Sequence, residues 1–79
     1  MREATAVKLC AAVLLHGRTL GRYSMMVGDL PKATGLSSTL IDAAVADASD
    51  RGWVFFGETY IVLKASGIHV AKESLDLPR

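Results

Sequence analysis

The chain has 79 residues, 51% of them hydrophobic and 22% charged, with a formal net charge of +1. That length allows one domain, spanning 1–79, which hides only about 60% of the surface its unfolded chain exposes, so association is a direct way to add buried area. The near-neutral balance excludes a strong basic field that would draw the protein onto nucleic acid or an anionic membrane. The single cysteine, Cys10, excludes an internal disulfide and a thiolate metal cluster.

Alanine and leucine dominate Glu3 to Leu15, which predicts a first helix stopped by Gly17 just past His16. Val7, Cys10, Ala11 and Leu14 have the spacing of a core face. Ala6, Leu9 and Val13 form a second apolar stripe beside it. A helix apolar on more than one side is buried on more than one side. In so short a chain, the expectation is that Ala6, Leu9 and Val13 meet a second subunit. The longest apolar run, Leu9 to Leu15, is far below the ~20 residues that span a bilayer. No signal-peptide pattern follows Arg2-Glu3, so a cytoplasmic protein without membrane contact is expected.

Arg18 to Ser24 reads as a polar connection, and Arg18 and Arg22 are candidate phosphate contacts. Met25 to Thr34 is expected to hold a second helix, with Asp29 as N-cap and Pro31 in the first turn. Gly35 ends it, and Ser37 caps a third helix, Ser38 to Arg51, that stops before Gly52. Spacing turns Ile41, Ala44, Val45 and Ala48 inward, leaving Ser38, Thr39, Asp42, Ala43, Ala46, Asp47 and Asp50 outward. Two helices joined by a short glycine-containing turn form the helix-turn-helix pattern.

Trp53 to Phe56 and Thr59 to Leu63 read as a hairpin turning at Gly57-Glu58 in a type II′ turn. Ile61 and Leu63 share one face, Tyr60 and Val62 the other. Lys64 to Leu75 reads as a last helix with Val70, Ala71 and Ser74 inward. Ile68 and Leu75 then make an outward stripe, which would join the spare face of the first helix in a homodimer. His16 and His69 stand apart with no ligand partners at metal spacing. No phosphate loop or nucleophile elbow is present, so neither cofactor nor enzyme activity is expected. The expected fold is mostly α with a small β-hairpin, in the order α-α-α-β-β-α.

Three segments carry a family resemblance: D-L-P-K-A-T-G-L-S (Asp29 to Ser37), D-R-G-W-V (Asp50 to Val54) and Y-I-V-L-K-A-S-G-I-H-V-A-K-E (Tyr60 to Glu73). In these the chain resembles the winged helix-turn-helix domains of MarR-like and PadR-like bacterial regulators, over roughly two-thirds of its length. The resemblance implies a transcriptional regulator that binds double-stranded DNA as a dimer. Its third helix would enter the major groove with Ser38, Thr39 and Asp42 toward the bases. Ser37 and its neighbours at the helix N-terminus, with Arg18, Arg22 and Lys32, would hold phosphates. Two departures stand out. Lys64 replaces the family's usual threonine cap, and positions 42, 43, 46 and 47 are Asp, Ala, Ala and Asp where regulators offer Arg, Lys, Gln or Asn. An aspartate accepts from the amino group of cytosine, but a carboxylate beside a phosphate releases no counterion. The acidic helix and spare apolar stripes therefore also suit a second expectation. In it, the same fold serves protein–protein contact as an adaptor, an inhibitor or an assembly subunit.

Overall fold

Helix α1, Arg2–His16, is apolar on nearly all sides, and the rest of the chain is wrapped round it. The computed structural model describes residues 2–19 and 21–76. Its elements after α1 are β1 (Arg18–Thr19), β2 (Arg22–Met26), a 3₁₀ turn (Val27–Asp29), α2 (Leu30–Thr34) and α3 (Ser38–Asp50). A hairpin, β3 (Val54–Gly57) and β4 (Tyr60–Leu63), then leads to α4 (Ala65–Ser74). Helices thus dominate, with a small antiparallel sheet in the order β1-β2-β4-β3.

The expected order lacked β1 and β2. Arg18 to Ser24 is no loose connection, and Met25 and Met26 are strand rather than helix. Ser24 pairs with Val62, Met25 with Ile61 and Met26 with Tyr60. Gly17 makes the switch from helix to strand. Its N–H closes onto the Val13 carbonyl at 2.8 Å, and its own carbonyl accepts the Ser24 N–H at 2.7 Å. The hairpin turn is also displaced by one residue. Gly57 pairs with Tyr60, so the loop is Glu58-Thr59. A Cβ at Gly57 would collide with the Tyr60 ring, which lies over it.

Alternation in β4 holds as expected, with Ile61 and Leu63 buried and Tyr60 exposed. In α3, Ile41, Ala44, Val45 and Ala48 are the buried set, also as expected. The helix ends in a pair of bonds that satisfies its last carbonyls: Gly52 N–H to Ser49 O and Trp53 N–H to Ala48 O. Gly52 takes a positive φ of 76° there, a conformation that costs glycine little.

The expected homodimer face of α1 is not a surface. Ala6, Leu9 and Val13 have no exposure in the single chain, because α3 and α4 flank the helix while α2 and β2 close the rest. Ile68 and Leu75 are half-buried against the same core and form no outward stripe. On α4 the fully buried positions are Gly67 and Ala71; Ser74, expected inward, is exposed. Backbone proximity sets this rotation. Ser66 Oγ donates to the Gly52 carbonyl at 2.7 Å, Lys64 N–H donates to the Trp53 carbonyl at 2.9 Å, and a Cβ at Gly67 would run into the Trp53 carbonyl.

Cys10 lies in this core with no exposure, and burial without a charge partner pushes its thiol up to about 12. Because the folded value is raised, the stabilisation is complete below the unfolded thiol's value near 8.5 and is lost as pH rises toward 12. Between pH 8.5 and 10, urea unfolding of the wild type should lose more than about 1 kcal/mol beyond what Cys10→Ala loses. A thiol reagent at neutral pH should label Cys10 only as fast as the chain unfolds. Gly67→Ala should cost more than about 2 kcal/mol in the same urea experiment, since backbone must move to admit the methyl group.

Candidate nucleic-acid interface

The α2–α3 corner is built by three residues, each with a definite task. Thr34 is buried, donates its hydroxyl to the Leu30 carbonyl at 2.7 Å, and accepts the Leu36 N–H at 3.1 Å. Gly35 takes a φ of 75° and returns its N–H to the Pro31 carbonyl at 2.8 Å, ending α2. Ser37 is extended, and its Oγ accepts the Leu40 N–H at 3.3 Å as the cap of α3. Asp29 occupies the N-cap position of α2 without a side-chain hydrogen bond.

The corner leaves one side of α3 in solvent. Ser38, Thr39, Asp42, Ala43, Ala46 and Asp50 are all exposed. Small residues at 43 and 46 let another molecule approach the helix backbone closely. The electrostatics are less hostile than the sequence implies, because Asp47 accepts from Arg51 Nε at 3.1 Å. The Arg51 guanidinium also lies 5.3 Å from the Trp53 ring centre, held between carboxylate and indole. Asp42 and Asp50 remain as exposed carboxylates on this side.

The structure brings together only part of the expected set. Ser37, Ser38, Thr39 and Asp42 form one contiguous start to α3. Lys32 is exposed on neighbouring α2, where it lines an open groove of about 710 Å³ with His16, Met25, Met26, Asp29 and Tyr60. Arg18 and Arg22 are elsewhere. Arg22 begins β2 at the end opposite Met26, and four residues of strand put about 13 Å between those ends. Arg18 sits over the Tyr23 ring at 6.0 Å. Neither arginine is among the residues that line the groove with Lys32, although Arg18 directly follows His16 and Gly17, which do.

Sequence reasoning also passed over the exposed apolar side chains Met26, Phe55, Phe56 and Tyr60. Their strand character was legible for three of them; which strand lies at a free edge was not. The groove beside Lys32 was hidden for the same reason, since β2 forms one of its walls. Among the described residues, no three of His, Cys, Asp and Glu converge closely enough to hold a metal ion. No helix among them is long and apolar enough to cross a membrane.

No family model matches the chain, and neither a curated protein nor a solved structure matches it significantly. The corner's chemistry can be separated by substitution. Ser37→Ala should lower stability in urea unfolding by about 1 kcal/mol, the usual value of a lost helix cap, whereas Ser38→Ala should stay within about 0.5 kcal/mol.

Proposed function

We propose that this chain is a winged-helix domain that binds double-stranded DNA as a cytoplasmic transcription regulator, with α3 entering the major groove and the β3–β4 hairpin acting as the wing. One observation carries the reading. Beyond a tight glycine-containing corner, the outward side of α3 is left uncovered from Ser38 to Asp50, in a helix of groove-entering size. Ser38 and Thr39 offer hydroxyls and Asp42 an acceptor for a cytosine amino group. Ser37 and the first backbone N–H groups of α3, with Lys32 beside them, suit phosphate oxygens.

Few cations serve this interface, so the reading carries a quantitative consequence. With only one or two phosphates neutralised per chain, log K should fall with log salt at a slope of about −1 to −2, far shallower than for a strongly basic regulator. Affinity should be low.

A second reading has its own support. Leu40 is 47% exposed at the start of α3, and Ala43 and Asp47 follow on the same side by helical spacing. An apolar residue beside carboxylates suits a protein partner with a basic, partly apolar surface.

Asp42→Arg separates the two. If α3 faces a groove, fluorescence anisotropy with a short duplex at about 50 mM salt should give roughly tenfold tighter binding and a slope steeper by about 0.9. Equal affinity for wild type and variant would take α3 out of the groove, and no binding by either at low salt would remove DNA from the reading and leave the protein-contact role of α3.

A further inference from the structure

The sheet turns one face to the core and the other to water. Val54, Ile61 and Leu63 are buried, and the register puts Met25 and Phe56 on their side. The opposite face then carries Ser24 and Met26 from β2, Tyr60 and Val62 from β4, and Phe55 and Gly57 from β3. Phe55, Met26 and Tyr60 on this face are 53%, 50% and 41% exposed. Alternation adds Arg22 and Lys64, both exposed, two residues on from Ser24 and Val62.

The two rings of this face are set for stacking. Tyr60 lies over Gly57, so one side of its ring rests on backbone and the other meets solvent. Phe55 is its diagonal neighbour across the strands, with ring centres 6.5 Å apart and planes inclined by 48°. At that spacing and tilt the rings share no plane, so one flat ligand does not stack on both. Successive bases of a flexible strand do, one on each ring.

Charge is divided along the same face. By alternation no carboxylate of β2, β3 or β4 falls on it, whereas continuing the Ser24–Val62 register sets Arg22 and Lys64 side by side at one end. Arg22 and Val62 also line an open recess of about 300 Å³ there. Acids stand at the other end: Glu58 is in the turn before Tyr60, and Asp29 shares with Lys32 the groove that Met26 and Tyr60 border. We propose that this face binds a short stretch of single-stranded DNA, with one base on Phe55, the next on Tyr60, and backbone phosphates on Arg22 and Lys64. A duplex makes no such contact, because its bases are stacked on one another. A protein partner fits the face less well, since lysine is depleted at protein interfaces. RNA gains nothing from its 2′-hydroxyl here, because Ser24, the one hydroxyl beside the rings other than that of Tyr60, is half-buried.

Each stacked base contributes about tenfold in affinity, and two neutralised phosphates give log K a slope of about −1.4 against log salt. With so few contacts the dissociation constant is on the order of 100 µM at low salt. The face uses no residue of α3, so it is independent of whether α3 enters a groove.

The test is fluorescence anisotropy with a labelled oligothymidylate of about 12 nucleotides, at about 50 mM salt and protein up to about 1 mM, where binding should saturate. Phe55→Leu keeps an apolar side chain but loses the ring, and should weaken binding about tenfold; Phe55→Tyr should stay within about twofold of the wild type. Arg22→Ala should make the salt slope shallower by about 0.7. All three positions are exposed, and circular dichroism checks that each variant is folded. An oligouridylate of the same length should bind no tighter than the DNA. The proposal is overturned by no binding, by equal affinity for wild type and Phe55→Leu, by equal affinity for an abasic strand, or by RNA binding about tenfold tighter. Absence of binding together with self-association in sedimentation that Phe55→Lys abolishes would give the face to a second copy instead. Failure with the single strand leaves the Asp42→Arg comparison on duplex DNA standing, and failure of that comparison leaves the single-strand result standing.

Discussion

Everything in this fold follows from a central helix with almost no polar side. From Leu9 to Leu14, six successive residues of α1 are buried, a full circuit of the helix and more. Such a cylinder must be covered from every direction, and a chain of this size has little material to do it. Three short helices and part of the sheet close round it. Alanine and cysteine at positions 6, 10, 11 and 12 keep the neighbouring backbones close, so the cover can be thin. Each fully buried leucine, isoleucine or valine in the surrounding shell contributes on the order of 2 kcal/mol, which is how Leu30, Ile41, Val54 and Ile61 hold it in place.

This arrangement explains which features were legible from residues alone. The α3 register, its serine cap, the glycine stop at Gly52 and the alternation in β4 are local. They depend on side chains a few positions apart, and each was readable. Strand β2 was not, because Arg22 to Met26 becomes a strand through pairing with Tyr60 to Val62, far along the chain. Its composition carries little alternation of its own. The same gap affected the candidate site. Ser37, Ser38, Thr39 and Asp42 belong together by helical spacing, whereas separating Arg22 from Lys32 required a strand register. The second apolar stripe of α1 was read correctly as buried and wrongly as intermolecular. Helix α4 comes back across the core, so one chain covers both sides.

The polar surface is correspondingly plain. Arg51 bridges Asp47 and the Trp53 ring, which joins the end of α3 to the start of the hairpin. What remains on the outward side of α3 is short hydroxyls, methyl groups and two carboxylates, a surface whose contacts are set by shape more than by charge. The largest exposed apolar side chains lie mainly on the hairpin and at the end of β2. The two ends of the unit formed by α2, α3 and the hairpin therefore present different chemistry to whatever approaches.

The seating of Gly67 against the Trp53 carbonyl has a further result. Only the side of α4 without a Cβ can come that near, so the helix is keyed into a single angular setting, as a notched shaft is. Hydrophobic patterning in α4 is too diffuse to choose between a face centred on Val70 and one centred on Ala71. The missing methyl chooses instead, and Ile68, Ala71 and Leu75 are swung onto the core as a consequence.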